Sequence, residues 1–177
     1  MMNIVSSKIK EIRDMGVGSR VEIDFVDILD EDEGVLVGDT ARGFFLVLAE
    51  TRETDTYPPR PFRVNAGSIH QYVCVADGKT KYLSELKSGD TVLVTNTHEE
   101  RFVSVGRVKI EKREFIHVVL QNDITATLQR ADSVHIAGEK GALHLIESTV
   151  GDDVISIESG SIARHKGEVV QEEIKEK

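Results

Sequence analysis

One ten-residue pattern occurs twice in the chain and constrains the fold more than any other sequence feature. The segment Leu83-Ser-Glu-Leu-Lys-Ser-Gly-Asp-Thr-Val92 returns as Leu145-Ile-Glu-Ser-Thr-Val-Gly-Asp-Asp-Val154. A weaker third copy places Ile12, Gly18, Ser19 and Val21 at corresponding positions. Gly-Asp before valine is typical of a turn that begins a strand, because glycine takes a positive φ and a short polar side chain bonds to nearby backbone. Such self-similarity predicts related structural units.

The remaining sequence is typical of a β protein. Short runs of Val, Ile, Leu, Phe and Thr alternate with Gly, Asp, Asn and Glu, as in strands joined by turns. Residues 6–15 are the exception, since Ile9 and Ile12 are three apart and Gly16 follows where a helix C-cap would lie. We therefore predict a mainly β fold of three related small barrel-like β units with a short N-terminal helix. The expected units are residues 1–54, 55–120 and 121–177, in one compact domain overall, and the second carries the polar motif described below.

Composition excludes several functional classes. The 177-residue chain has a formal net charge of -9, and an acidic surface repels nucleic acid. No apolar run is long enough for a membrane span or a signal peptide, so we expect a cytoplasmic protein without membrane contact. The single cysteine, Cys74, rules out an internal disulfide and a cysteine-based zinc site and is expected to be buried. None of the six histidines forms a close helical pair, so no metal site is predicted.

Residues 60–82 form a basic, hydrogen-bonding segment within this acidic chain. The segment holds two arginines, two lysines, an asparagine, a histidine and two tyrosines. Arginine matches the geometry of carboxylates and phosphates, so a small anionic ligand is the expected partner. In an alternative interpretation, Arg60 and Arg63 pair with surface acids and residues 65–67 only form a turn.

Glu50 stands out because it ends an apolar run. A buried carboxylate there would be unfavourable unless it were paired with a group such as Arg42 or Arg60. Structural pairing and a role facing the substrate both remain open for Glu50.

Residues 60–67, Arg-Pro-Phe-Arg-Val-Asn-Ala-Gly, with His70 and Tyr72 after them, resemble the hallmark segment of the dehydroquinate synthase II family, the archaeal-type 3-dehydroquinate synthases. Residues 78–90 resemble the segment that follows it in that family. Further similarities lie at residues 33–38, 42–43, 46–50, 106–111, 128–129 and 163–165. The chain departs from the family at Lys166, where an aromatic residue is usual, and at residues 24–27, which lack the usual cysteine. The first half of the family has no counterpart here, so the resemblance is to the C-terminal half.

The resemblance implies an NAD-dependent oxidative deamination and cyclisation of an amino-heptulosonate, giving 3-dehydroquinate for aromatic amino acid biosynthesis. NAD is implied by the resemblance alone, because the glycine spacing in residues 34–43 is not that of a dinucleotide fingerprint. The candidate catalytic residues are Glu50, His70 and Lys79. The candidate substrate-binding residues are Arg42, Arg60, Arg63, Asn65, Tyr72 and Thr80.

Two functions are therefore expected from the sequence. In the first, the chain is a short or split synthase that is inactive alone and needs a separately encoded N-terminal half, or a homo-oligomer, to complete its site. In the alternative, it is a non-catalytic β domain that binds a small anionic metabolite or a protein partner.

Overall fold

A computed structural model describes residues 2–159 and 175–177, and between them the backbone of two short strands, Arg164–His165 and Glu168–Val169. The mainly β fold is confirmed. Within this part of the chain, the regular elements are fourteen strands and three 3-10 helices of three residues each. Among the same residues, no helix is long and apolar enough to cross a membrane.

The strands are β1 (Asn3–Phe25), β2 (Gly34–Gly38), β3 (Gly43–Leu48), β4 (Arg63–Ser68), β5 (Tyr72–Cys74), β6 (Thr80–Tyr82), β7 (Thr91–Thr95), β8 (Glu100–Leu120), β9 (Thr125–Gln129), β10 (His135–Gly138), β11 (Gly141–His144), β12 (Asp153–Glu158), β13 (Arg164–His165) and β14 (Glu168–Val169). The 3-10 helices span Ala76–Gly78, Leu83–Glu85 and Leu145–Glu147.

The two long strands β1 and β8 organise the fold. Residues 3–8 of β1 pair with β12, residues 9–25 pair with β8, and residues 20–24 also pair with β4, all antiparallel. β8 in turn pairs with β7 through its first residues and with β9 through its last. Twelve strands thereby form one hydrogen-bonded network, in which β4 and β9 flank the β1–β8 pair.

The predicted N-terminal helix is wrong, because residues 6–15 belong to β1. Ile9 and Ile12 would point to opposite faces of a regular strand, but the register shifts at Lys10 and both side chains contact the core. Such a bulge inserts one residue and so imitates helical spacing. Gly16, which was interpreted as a helix C-cap, has a φ of 79° and lies at a second register shift.

The two clear copies of the repeat have the same local structure. Leu83 and Leu145 each begin a 3-10 helix and are buried. Gly89 and Gly151 have φ values of 92° and 98°, and a strand follows each. In the weak third copy, Gly18 lies inside β1. The division into three barrel-like units stays a prediction.

The last residues of β1 separate the core from a polar face. Val21 and Ile23 are fully buried in the main apolar core, where each contributes about 1.5–3 kcal/mol of transfer free energy. Because side chains alternate along a strand, Arg20, Glu22 and Asp24 point to the opposite face. These three charged side chains are also buried.

Candidate functional site

The polar face of β1 and β4 carries closely paired charges. Arg63 lies opposite Asp24, and Asn65 lies opposite Glu22. Arg63 donates to both carboxylate oxygens of Asp24, from Nε at 2.7 Å and from Nη2 at 3.2 Å. Its Nε is also 3.3 Å from Glu22, which in turn lies 3.5 Å from Arg20. Arg63 is therefore fixed by buried acids. The alternative interpretation is wrong in two respects, because these acids do not lie on the surface and residues 65–67 belong to β4.

The neighbouring strand β8 adds a second row of charges. Arg107 lies opposite Asp24, Lys109 opposite Glu22, and Glu111 opposite Arg20. Arg107 donates to Asp24 at 2.9 Å. Burial alone would raise the pKa of Asp24, but hydrogen bonds from Arg63 and Arg107 outweigh it and lower that pKa.

Glu50 enters this face from the segment that follows β3. Its N–H donates to the carbonyl of Arg63 at 2.8 Å, and the N–H of Arg60 donates to the carbonyl of Glu50 at 2.6 Å. The Glu50 side chain is buried among Glu22, Arg20 and the two arginines that its backbone contacts. Burial, reinforced by repulsion from Glu22, raises the pKa of Glu50 to about 7 in spite of the arginines.

Three buried side-chain atoms on this face have no hydrogen-bond partner within the described residues: Oε2 of Glu50, Nε of Arg20 and Oδ1 of Asn65. Gln129 of β9 joins two of these side chains, since its Oε1 accepts from Arg20 at 2.6 Å and from Asn65 at 2.7 Å. An unpaired buried polar atom costs about 1–3 kcal/mol. Their concentration in one place indicates where a polar ligand would be favoured.

We call this set of residues the arginine–carboxylate cluster: Arg20, Glu22, Asp24, Glu50, Arg60, Arg63 and Asn65. Arg60 differs from the other arginines of the cluster. Its guanidinium lies 5.5 Å from the ring centroid of Tyr57, and no ion pair joins it to an acid within the described residues. Arg60 is therefore the cationic group of the cluster that is available to an anion.

A second polar group surrounds Asp39, directly after β2. Asp39 Oδ1 lies 2.7 Å from Nε2 of His70 and accepts from the hydroxyl of Thr127 at 2.8 Å. Nε2 of His117 is 3.1 Å from Oδ2 of Asp39. Burial alone would raise the pKa of Asp39, but the neighbouring His117, His70 and Thr127 side chains hold that pKa well below its ordinary range. We call Asp39, His70, His117 and Thr127 the histidine–aspartate group.

β9 places the two sets of side chains next to each other. Thr127 belongs to the histidine–aspartate group and Gln129 contacts the arginine–carboxylate cluster. These residues share one face of the strand and are separated by about 7 Å. The Gln71 carboxamide binds the two flanking strands together, because it donates to Ala66 of β4 at 3.0 Å and accepts from the N–H of Thr127 at 2.9 Å.

The other residues of the predicted site lie elsewhere. Arg42 is exposed and pairs with Asp123 at 3.4 Å. Tyr72 stacks on Tyr82 with ring centroids 5.1 Å apart, and hydrogen bonding to Tyr82 together with burial raises its pKa to about 12. No side-chain contact in the described part of the chain joins Arg42 or Tyr72 to the arginine–carboxylate cluster.

Lys79 and Thr80 also lie apart from the cluster: Thr80 begins β6, and Lys79 directly precedes it. Lys79 borders a cavity of about 190 Å³ that is lined by Cys74, Leu93 and Phe102. Cys74 is buried as expected, and burial raises the pKa of its thiol to about 12. A larger cavity of about 390 Å³ is lined by Ile12, Arg130, Leu145 and other residues that belong to neither polar group. The similarity at residues 163–165 falls outside the residues whose side chains the structure describes.

Sequence reasoning missed several residues of the two groups. Arg20, Glu22 and Asp24 carry a signal, namely charge at every second residue before Phe25, which is typical of one polar strand face. Asp39 and His117 carry no comparable signal in the sequence, although the His117 side chain is largely covered.

The chain offers no recognisable cradle for a dinucleotide in its described residues. Gly34 and Gly38 are needed for close backbone approach, because a Cβ at these positions would meet the carbonyls of Val47 and Gly43. Strand packing therefore explains Gly34 and Gly38. The next regular element is a strand, so no helix N-terminus follows these glycines that could bind a diphosphate. In the same residues, no group of three His, Cys, Asp or Glu side chains is arranged to hold a metal ion.

Fold and polar face together define a mainly β domain with a buried ionic cluster on one sheet face. The chain belongs to the 3-dehydroquinate synthase II family, since residues 6–177 match the model of the family's C-terminal domain. No solved structure matches the chain.

Three curated relatives extend this comparison. The 3-dehydroquinate synthase of Natronomonas pharaonis is 42% identical over 99% of this chain, which corresponds to 46% of that protein. The 3-dehydroquinate synthase of Methanopyrus kandleri is 40% identical over 98% of this chain and 45% of its own length. The 3-dehydroquinate synthase of Haloquadratum walsbyi is 42% identical over 94% of this chain and 43% of its own length. The chain therefore spans less than half the length of these relatives.

Proposed function

We propose that this chain supplies the anion-binding and acid–base part of a 3-dehydroquinate synthase. The reaction would be the oxidative deamination and cyclisation of an amino-heptulosonate with NAD as hydride acceptor, in a cytoplasmic biosynthetic pathway. The observation that carries the proposal is Glu50, a buried carboxyl group beside Arg20, Arg60 and Arg63 whose pKa is raised to about 7. The names of the curated relatives support the choice of reaction.

The chemistry of the cluster suits such a substrate. Arg20 and Arg63 are already neutralised by Glu22, Glu111 and Asp24, so Arg60 is the arginine that binds the substrate carboxylate. A group with a pKa near 7 can both take and give a proton at neutral pH. An isolated antiparallel β-bridge pairs Glu50 with Arg60. Glu50 is therefore the acid–base candidate of the cluster.

The described residues contain no recognisable cradle for a dinucleotide. We therefore propose that the other half of the enzyme binds the nucleotide, either on the same polypeptide, on a separate one, or on another copy in an oligomer. The present domain would hold the carboxylate end of the substrate and exchange protons with it.

The test compares the chain alone with the chain mixed with the N-terminal half of the Methanopyrus kandleri relative. The assay follows NADH absorbance and product formation from the amino-heptulosonate. We expect negligible turnover by the chain alone, because loss of one part of a multi-group site costs orders of magnitude in rate, and measurable turnover by the mixture. Robust turnover by the chain alone would refute the division of labour.

Three variants test the residues in the same mixture. Glu50→Gln should lower kcat by on the order of 10²-fold, and Arg60→Ala should raise KM. Arg130→Ala is the matched control, since Arg130 is an exposed arginine whose ion pair, among the described residues, is with Asp14. Binding of the substrate without turnover in any mixture would favour the non-catalytic anion-binding domain, and full activity of Glu50→Gln would refute the role of Glu50.

A further inference from the structure

The histidine–aspartate group gives the site a second place for proton transfer. We infer that His70 is a proton-accepting group for a carboxylate-bearing substrate held at the arginine–carboxylate cluster, and that Asp39 is its positioning residue. This inference rests on the proposed function. The step moves one proton from an ammonium N–H or an activated C–H of the substrate to His70 Nδ1, so that no oxidant or other reactant is needed.

The contacts of His70 fix which ring nitrogen can act. Nε2 lies 2.7 Å from Oδ1 of Asp39, and an ionised carboxylate can only accept, so Nε2 carries the hydrogen. In the neutral ring Nδ1 then holds the lone pair, and it lies 3.0 Å from the hydroxyl of Ser68. The His70 side chain is 51% exposed. A substrate group can therefore replace the Ser68 hydroxyl at Nδ1 without entering the core.

Asp39 is arranged to remain charged while it holds the ring. Its side chain is 9% exposed, and its oxygens lie close to donors on three strands or their ends: His70, His117 of β8 and Thr127 of β9. A fixed negative charge at Nε2 stabilises the imidazolium that forms when Nδ1 takes a proton. The same arrangement keeps the ring orientation constant, which is the role of a positioning residue.

His117 is the only other titratable side chain in contact with Asp39, within the described residues. It is 14% exposed, and its Nδ1 is buried without a partner. His117 is largely covered whereas the His70 ring faces solvent, so His70 is the histidine of the group that a substrate can reach. Among the described residues, the other polar groups near His70 are the hydroxyls of Ser68 and Thr127, which do not ionise near neutral pH.

The position of this group relative to the cluster suits one small substrate. Thr127, which binds Asp39, and Gln129, which binds Asn65, are about 7 Å apart on one face of β9. A sugar-acid chain that extends along β9 from the arginine–carboxylate cluster would have its reacting end near the histidine–aspartate group. Glu50 and His70 would then act at different points of the same molecule.

The first test does not require enzymatic turnover. Long-range proton–nitrogen NMR of the labelled chain reports the tautomer of each histidine. We expect His70 to carry its hydrogen on Nε2, to lose this preference in Asp39→Asn, where the amide can donate as well as accept, and to keep it in Asp14→Asn. Asp14 is a matched control because its side chain is 81% exposed. Predominance of the Nδ1–H form in the unaltered chain, or an unchanged tautomer in Asp39→Asn, would overturn the inference.

The second test uses the combined halves. His70→Gln replaces an exposed side chain and should fold normally, yet it should lower kcat at least tenfold with little change in KM. Asp39→Asn should lower kcat and alter its pH profile, and Thr127→Val, which removes one donor to Asp39, should have a smaller effect in the same direction. Full kcat in His70→Gln would overturn the inference even if Asp39→Asn does not fold. Absence of turnover in every mixture would count against the proposed function, whereas the NMR result would still decide the arrangement of His70.

Discussion

Replacing Glu50 by glutamine should change how the stability of the protein depends on pH. The buried carboxyl of Glu50 has a pKa of about 7 in the folded protein, against an ordinary value of 4.5. Between these two values the folded state keeps a proton that the unfolded state has already released. The free energy of unfolding therefore falls as the pH rises through this window, and the loss is complete above about pH 7. Glutamine releases no proton, so this dependence should disappear.

The expected magnitude follows from the same two values. Each unit of pKa difference corresponds to about 1.4 kcal/mol, so the total effect of Glu50 is about 3 kcal/mol. Between about pH 5 and about pH 8 most of it, about 2–3 kcal/mol, should be lost by the unaltered protein relative to Glu50→Gln. The other titrating groups are the same in both proteins, and their contributions cancel in the difference.

Urea denaturation followed by circular dichroism across this pH range measures the effect. Glu53→Gln is the matched control, because Glu53 lies in the same segment and is exposed. The control should keep the pH dependence of the unaltered protein. Parallel curves for the unaltered protein and Glu50→Gln would mean that Glu50 ionises as an ordinary carboxyl, and the reasoning about a buried acid–base group would then be refuted.

Three further predictions concern other parts of the fold. Arg63→Ala leaves the buried Asp24 carboxylate without its two-point partner and should lower the free energy of unfolding, measured by urea denaturation, by about 3–5 kcal/mol; a loss below about 1 kcal/mol, the value typical of a surface pair, would contradict the burial of this ion pair. Gly67→Ala should lower the melting temperature, since Gly67 has a φ of 95° and a new Cβ would meet the carbonyl of Thr127; an unchanged melting temperature would be inconsistent with that contact. Cys74 should react with a maleimide only after unfolding, because its thiol is buried and its pKa is raised to about 12; rapid labelling of the native protein would argue against this environment.

Local patterns in the sequence predicted local structure well. The Gly-Asp turns at Gly89 and Gly151 take the expected positive φ, and the valines that follow them lie in strands. These features depend on a few adjacent residues. The helix predicted for residues 6–15 failed because a bulged strand and a short helix can both place Ile9 and Ile12 on one face. Only the pairing partner of the segment distinguishes the two.

The sites depended on contacts that a single sequence does not contain. Arg60 and Glu50 lie near each other in sequence, and their proximity was one of the alternatives considered. The ion pair between Arg63 and Asp24 joins residues on strands β4 and β1. The position of Asp39 beside His117 depends on how the end of β2 approaches β8 and β9. Neither contact can be recognised from neighbouring residues in the sequence. The polar segment at residues 60–82 therefore predicted a binding region, but it did not predict which acids hold its side chains in place.

The pairing of β1 has a consequence for how the protein is made. β1 is synthesised long before its partners, because β8 begins only at Glu100 and β12, the partner of its first residues, ends at Glu158. At a synthesis rate of about 5–20 residues per second, the backbone of β1 waits several seconds before these strands exist. Unpaired strand edges recruit other strands during that time, and contacts between residues so distant in sequence form slowly. We therefore expect the nascent chain to depend on chaperones that bind extended segments such as β1, and the native pairing of β1 to be completed only after β12 has been synthesised.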